Sequence, residues 1–177
     1  MKKQSFYLLL ICITLLIGCS REETFDDFFH KTMEEKNKGE EEYSLIHKEF
    51  NIVHENDAIA IFMENRNQQE NIFIGYYEKE NGNWNWRKTR GTRWEGPIKW
   101  VSMNEVPYIY FGTIDDSNVS EVYVGKKAAT IIKVEDKKRV WYAISDVKDR
   151  QVKVVKNDGT QEMVEQTEGD NWIKKDY

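Results

Sequence analysis

The chain has 177 residues, and its 31 acidic side chains against 26 basic ones give a formal net charge of −5. Nucleic acid and anionic lipid surfaces attract clustered Lys and Arg, so this balance argues against a nucleic-acid partner and against purely electrostatic adsorption to a membrane. Hydrophobic residues at 40% and aromatic residues at 13% are typical of a folded domain and exclude a disordered stalk.

The amino terminus has the pattern of an export signal. Lys2 and Lys3 are followed by a largely apolar stretch over residues 6–17 and then by the small residue Gly18. A charged start, an apolar stretch and a small-residue border are the three parts of a cleaved signal peptide. The apolar stretch is shorter than the about 20 residues that a membrane-spanning helix needs. We therefore assign residues 1–18 to a signal peptide.

The border Leu16-Ile17-Gly18-Cys19 resembles the lipobox of bacterial lipoproteins, Leu-x-Gly/Ala-Cys, at every position. The resemblance implies a diacylglyceryl group on the Cys19 sulfur, cleavage before Cys19, and a new amino terminus that can be acylated. Two or three acyl chains hold a protein firmly on a bilayer. The start of the chain looks like that of Gram-positive lipoproteins, which implies an anchor on the outer face of the cytoplasmic membrane. The alternatives are an ordinary cleaved signal and an uncleaved membrane anchor.

Cleavage at this site would change which chemistry the chain can perform. Cys12 would leave with the signal and the Cys19 sulfur would be in a thioether, so the remaining 159 of 177 residues would have no free thiol. Lys2 and Lys3 would also leave, and because no acidic residue precedes Cys19 the net charge would become −7. The lipid, and not the charge, would then hold the protein on the membrane.

Residues 19–42 are predicted to form a short tether and an amphipathic helix. Thr24 followed by Asp27 is a helix-capping pattern, and Gly39 offers a stop. Four apolar residues share one helical face: Phe25, Phe28, Phe29 and Met33. This face packs on the domain's own sheet, which is the commoner use of such a stripe, or it contacts lipid or a membrane partner.

From residue 43 onward the pattern predicts short antiparallel strands. Residues 58–64 and 71–80 are rich in β-branched and aromatic side chains. Asn81 and Gly82 follow the second of these runs, and both tolerate the positive φ that a two-residue hairpin turn requires. We therefore expect residues 83–89 to pair back on the preceding strand.

The second half of the chain reads as a meander of short strands separated by polar turns, with a candidate boundary at residues 115–118. No crossover helix is predicted after Gly39, which argues against a parallel α/β fold. The expected fold class is mainly β, a β-rich α+β chain in which a short helix precedes antiparallel sheets in a sandwich or barrel-like form. Residues 43–116 and 117–177 are either two β-rich subdomains or one domain.

Four of the six tryptophans lie between residues 84 and 100, interleaved with basic side chains. The candidate binding surface in this segment comprises Trp84, Trp86, Arg90, Arg93, Trp94 and Trp100. Such a surface would stack on the sugar rings of peptidoglycan or another cell-wall glycan, or would dock an acidic protein. The alternative is that the tryptophans fill the core, where most large aromatics of β-domains lie, and the basic residues face water.

The remaining polar residues give no catalytic or metal motif. His30, His47 and His54 lack the close spacing of a zinc site, so we assign no metal ligand. Asp115 and Asp116 are adjacent, which suits local bonding in a turn better than paired catalysis. The sequence has no nucleophile motif and no Gly-rich phosphate loop, so we assign no catalytic residue and expect no cofactor.

The leading functional expectation is a non-enzymatic, membrane-anchored lipoprotein whose β-rich domain binds an envelope protein or a cell-wall glycan. The first alternative is an envelope hydrolase with a site assembled from distant His, Asp and Glu residues. The second is a subunit whose helix docks a membrane partner. A cleft where His47 or His54 meets a carboxylate would favour the hydrolase, and a flat exposed patch of Trp84, Trp86 and Trp94 would favour binding.

Overall fold

The computed structural model describes residues 22–36, 42–66 and 69–167, which form one helix and twelve strands. The helix is α1 (Phe25–Lys36). Sheet A contains β1 (Glu42–Phe50), β2 (Asp57–Arg66), β3 (Gln69–Glu80) and β4 (Asn83–Arg93). Sheet B contains β5 (Ile98–Ser102), β6 (Tyr108–Ile114), β9 (Thr130–Lys133) and β10 (Arg139–Ser145). Sheet C contains β7 (Val119–Val124), β8 (Lys127–Ala128), β11 (Val152–Lys156) and β12 (Gln161–Val164). The predicted signal peptide, Cys19 and the predicted helix stop at Gly39 lie outside the described residues.

Every pair of neighbouring strands in these sheets is antiparallel. Sheet A is a simple meander in the order β1-β2-β3-β4, whereas sheet B has the order β5-β6-β10-β9 and sheet C the order β12-β11-β7-β8. The expectation of a short helix followed by antiparallel, mainly β structure is confirmed.

The elements stack in four layers, in the order α1, sheet A, sheet B and sheet C. One apolar cluster lies between α1 and sheet A, a second between sheets A and B, and a third between sheets B and C. Sheets A and B are therefore covered on both faces. Of the two forms that the sequence left open, this face-to-face stacking of sheets is the sandwich.

Helix α1 begins at the predicted cap and packs on sheet A. The amide of Asp27 donates to Thr24 Oγ1 at 3.1 Å, which satisfies one of the free N–H groups of the first turn. Three helical residues are buried: Phe25, Phe29 and Met33. The small residues Ala58 and Ala60 of β2 lie in the same cluster and let the aromatic helix face approach the sheet. The interpretation that this stripe packs on the domain's own sheet is confirmed.

The predicted hairpin joins β3 to β4. Asn81 has a φ of 50° and Gly82 a φ of 84°, so both turn residues adopt the left-handed conformation that this turn requires. Pairing with β3 continues to Arg93, four residues beyond the expected end of the strand.

Sheet B combines strands from both sides of the candidate boundary. Strands β5 and β6 precede residue 115, and β9 and β10 follow residue 118. Gly112 of β6 lies opposite Trp141 of β10, and a Cβ atom at Gly112 would lie 2.0 Å from the carbonyl oxygen of Lys99 and 2.7 Å from Trp141 Nε1. Only glycine leaves room for the buried Trp141 ring at this position.

Candidate functional site

Trp84 and Trp86 both belong to the layer between α1 and sheet A, as their spacing on one strand face predicts. Trp86 is 8% exposed, and its ring centroid lies 5.3 Å from that of Tyr77. Trp84 is half-buried, with its ring centroid 5.0 Å from that of Phe25. Trp86 is therefore part of the packing beneath the helix, and Trp84 lies at its margin.

The other two tryptophans of the segment lie in different layers. Trp94 is half-buried and packs against the cluster between sheets A and B. Trp100 is 6% exposed in the cluster between sheets B and C, where its Nε1 donates to the carbonyl oxygen of Val164 at 2.9 Å. The four tryptophans of the candidate binding surface are thus distributed over three layers, and Trp84 and Trp94 do not share one patch.

The basic residues of the candidate binding surface have partners within the domain. Arg90 Nε donates to the carbonyl oxygen of Ser102 at 3.2 Å, which ties β4 to β5. Arg93 lies 3.9 Å from the Glu95 carboxylate. The Arg90 side chain therefore contributes to the junction of sheets A and B, whereas the Arg93 contact is local.

A polar cleft of about 180 Å³ lies between β4 and the segment that follows β5. Its lining residues are Lys88, Thr89, Arg90, Met103, Asn104 and Glu105. Lys88 Nζ contacts the carbonyl oxygen of Val106 and lies 3.6 Å from the Glu105 carboxylate, so the two walls are tied together at one point. The cleft offers amide, hydroxyl, cationic and anionic groups beside the apolar Met103 side chain.

A second group of polar side chains, here named the Tyr76 cluster, comprises His54, Asp57, Tyr76 and Glu78. The Tyr76 hydroxyl lies 3.2 Å from Asp57 Oδ2, 3.1 Å from Glu78 Oε1 and 3.2 Å from His54 Nε2. The antiparallel register brings these residues together because Asp57 of β2 is paired with Glu78 of β3. His54 therefore meets carboxylates, which is one part of the observation that would favour a hydrolase; the other part is a cleft at the same place, and the polar cleft described above is lined by other residues.

Asp57 is fully buried and holds the loop of residues 51–56 in place. Its carboxylate accepts the backbone amides of Ile52 at 2.7 Å, Val53 at 3.1 Å and His54 at 3.0 Å. These three donors and the Tyr76 hydroxyl occupy most of the acceptor positions of the carboxylate. The role of Asp57 is therefore to fix the loop.

The pKa directions in the Tyr76 cluster follow from its hydrogen bonds. The bond between the His54 ring and the Glu55 carbonyl, supported by the Glu78 and Asp57 carboxylates, raises the pKa of His54 despite some burial. Burial alone would raise the pKa of Glu78, but hydrogen bonds from Tyr76, His54 and Arg87 to its ionised form lower it. Burial and the two carboxylates raise the pKa of Tyr76. At neutral pH Glu78 is therefore an anion and Tyr76 is a neutral phenol.

The remaining candidate polar residues make local contacts. His30 Nδ1 lies 2.9 Å from the Tyr43 hydroxyl, and His47 Nε2 lies 3.5 Å from the Glu49 carboxylate. Asp116 Oδ1 accepts the Asn118 amide at 2.9 Å, which is the turn bonding expected for this segment. Within the described ranges, no three His, Cys, Asp or Glu side chains are placed to hold a metal ion.

No family model, curated protein or solved structure matches this chain. In the part of the chain that the structure describes, no helix is long and apolar enough to cross a membrane. Functional inference therefore comes from the residues themselves.

The sequence did not reveal the Tyr76 cluster. Tyr76 follows His54 by 22 positions, and no local spacing motif links them. Two features of the sequence point toward it: the acidic residue Asp57 precedes a run of apolar residues, and Tyr76 and Glu78 are two positions apart and so share one face of a strand. Only the register between β2 and β3 converts that signal into a cluster.

Proposed function

We propose that this chain is a lipoprotein, anchored through Cys19 on the outer face of the cytoplasmic membrane, whose domain binds an envelope protein or a cell-wall glycan through the polar cleft. The observation that carries the proposal is the convergence of Lys88, Thr89 and Arg90 of β4 with residues 103–105 across that cleft. These side chains supply both donors and acceptors, as a site for a polar ligand requires.

The proposal of a lipid anchor rests on the lipobox-like residues Leu16-Ile17-Gly18-Cys19, and the buried face of α1 offers no alternative membrane contact. The buried residues Phe25 and Phe29 are used in packing on sheet A, so the stripe that could have bound lipid or a membrane partner is occupied. The net charge of −7 expected after cleavage gives no attraction to an anionic leaflet. Acyl chains on Cys19 would provide the membrane affinity that neither feature supplies.

The dimensions of the cleft indicate the size of its ligand. Its volume of about 180 Å³ lies below the roughly 300–1,000 Å³ typical of sites that enclose a drug-sized ligand. We therefore expect it to receive one unit of a polymer, such as a single sugar residue or a polar side chain. Asn104 and Glu105 line the cleft and are exposed, so both are accessible to the rest of that polymer.

Binding of soluble peptidoglycan fragments to the mature chain, measured by titration calorimetry, tests this proposal. Asn104→Ala removes a lining amide and should weaken binding about 5-fold to 10-fold, which is the usual effect of one lost hydrogen bond. Asn118→Ala, at an exposed turn between β6 and β7, is the matched control and should leave binding unchanged. If no fragment binds, a photo-crosslinking residue at position 104 in intact cells tests for an envelope protein. Failure of both measurements would reject the cleft as the recognition site.

A second candidate, an envelope hydrolase, is favoured by the meeting of His54 with Glu78 and Asp57. Two features limit its chemistry: backbone amides occupy Asp57, and the lowered pKa of Glu78 is unsuited to a general acid. Release of soluble fragments from purified cell walls, abolished by Glu78→Gln, would establish the hydrolase. If the wild-type protein releases no fragments, the hydrolase hypothesis is rejected.

A further inference from the structure

The structure places the first described residue, Glu22, at one end of sheet A. Glu22 Oε1 lies 2.5 Å from Lys79 Nζ, and it would lie 3.9 Å from a Cβ atom added to Gly82. The first described residue is therefore next to the β3–β4 turn. Cys19 precedes Glu22 by three residues, and an extended chain spans at most about 3.6 Å per residue. The Cα atoms of Cys19 and Glu22 are therefore at most about 11 Å apart. A lipid on Cys19 would hold this end of sheet A at the bilayer.

Apolar side chains are exposed at this same end. The ring centroids of Phe50 and Trp84 lie 5.9 Å apart, and each packs against Phe25, at 5.5 and 5.0 Å respectively. Val53 lies in the adjacent loop, which the Lys79 amide ties to the hairpin by donating to the Asn56 carbonyl at 2.7 Å. Five large hydrophobic side chains are exposed among the described residues, and two of them are Phe50 at 42% and Val53 at 44%. We name Phe50, Val53 and Trp84 the anchor-proximal surface.

The charged groups around the anchor-proximal surface are largely paired. Lys79 pairs with Glu22, and Arg87 Nε donates to Glu78 at 2.7 Å while Arg87 Nη2 donates to Glu80. Lys79 Nζ also lies 5.9 Å from the Trp84 ring centroid. Pairing lowers the cost of bringing these charges close to lipid, and a half-buried tryptophan with a polar tip suits the headgroup region.

Because a lipid on Cys19 would already hold the domain at the bilayer, a small apolar surface is sufficient to keep one end of the domain in contact with it. Three partly exposed side chains would not bind a free protein to a bilayer, but covalent attachment nearby raises the effective lipid concentration they experience. Contact would then fix the orientation of the domain without adding much to its affinity.

We propose that the anchor-proximal surface rests in the headgroup layer of the bilayer that holds Cys19. This inference depends on the lipid anchor of the proposed function. Its occupant is the bilayer itself, and the inference places the carboxyl ends of β1 and β3 toward the membrane and their amino ends away from it.

A site-specific label on the full lipidated protein tests the orientation. After lipid attachment the mature chain has no free thiol, so Val53→Cys introduces a single site for a polarity-sensitive fluorophore. Ser44→Cys is the matched control, because it is exposed on β1 six residues before Phe50, or about 20 Å along the strand. Both labelled proteins are reconstituted in phosphatidylcholine–phosphatidylglycerol vesicles that contain a lipid with a nitroxide near the headgroup.

The expected result is that the nitroxide lipid quenches the label at position 53 at least about twice as strongly as the label at position 44, as shallow insertion requires. Aqueous iodide should show the opposite preference. Vesicle flotation and the intact mass of each protein report separately on the anchor.

Three outcomes would overturn the inference, and each has a different meaning. Equal quenching at positions 53 and 44 in floating, lipid-modified protein would reject the orientation and leave the anchor intact. Protein that carries no lipid would reject both. Shielding at position 53 in native membranes but not in vesicles would assign the anchor-proximal surface to a membrane protein.

Discussion

Replacing Trp86 with alanine tests the packing between α1 and sheet A. The ring is 8% exposed, lies 5.8 Å from the Phe62 ring and 5.3 Å from the Tyr77 ring, and has Lys36 Nζ 3.5 Å from its centroid. A tryptophan buries about 150–250 Å², which at about 25 cal/mol per Å² corresponds to about 4–6 kcal/mol. Partial collapse of the neighbours recovers some of this, so we expect Trp86→Ala to lower the free energy of unfolding by about 3–5 kcal/mol.

Urea unfolding of the soluble domain, residues 20–177, followed by far-ultraviolet circular dichroism, measures this loss without relying on tryptophan emission. Trp86→Phe is the matched control. It keeps an aromatic ring but loses the hydrogen bonding of Nε1 with the Thr89 hydroxyl and with the Lys88 carbonyl at 3.2 Å, so it should lower the free energy of unfolding by about 1–2 kcal/mol. A change below about 0.5 kcal/mol for Trp86→Ala, the range of an ordinary surface substitution, would refute this account of the packing.

The remaining predictions concern sheet B and the Tyr76 cluster, with urea midpoints as the measurement. Gly112→Ala should lower the free energy of unfolding by about 3 kcal/mol or more, because the added methyl group meets backbone and a buried ring. Gly159→Ala is the control, at an open turn with positive φ, and should lower it by about 1–2 kcal/mol. Equal losses in the two variants would contradict this reasoning. Asp57→Ala leaves three loop amides without their acceptor and should lower the free energy of unfolding by about 3 kcal/mol or more. Asp57→Asn keeps an acceptor oxygen and should recover part of this loss. An alanine variant as stable as wild type would show that the loop does not need the carboxylate. The raised pKa of His54 means that its protonation stabilises the folded state fully below about pH 6.5, and that this stabilisation is lost as the pH rises through the folded pKa. The free-energy difference between wild type and His54→Gln should therefore shrink as the pH rises above about 6.5, and a difference that grows with pH would contradict the assigned direction.

Local features of this chain could be predicted from sequence because they depend on neighbouring residues. The Thr24 cap and the Asn81-Gly82 turn each require only a few adjacent side chains with the right conformational preferences, and both are confirmed. The alternation of Trp84 and Trp86 correctly placed them on one face of a strand.

Features set by long-range pairing could not be predicted in the same way. Alternation gives the face of a strand but not the layer that covers it, so the separation of Trp94 and Trp100 into different clusters depended on where sheet B lies. The order of sheet B is equally non-local, because β10 inserts between β6 and β9. The Tyr76 cluster required the register of β2 against β3, which a shift of one residue would have abolished.

The proposed location and the inferred orientation at the bilayer both depend on the lipid on Cys19, and the intact mass of the protein purified from membranes tests for that lipid. We predict a chain that begins at Cys19 and carries the additional mass of a diacylglyceryl group, with or without a further acyl chain. Cys19→Ala should remove that mass and leave either an uncleaved, membrane-held precursor or a released soluble form. An unmodified wild-type mass, or a Cys19→Ala variant whose mass and fractionation match the wild type apart from the substitution itself, would contradict the claim.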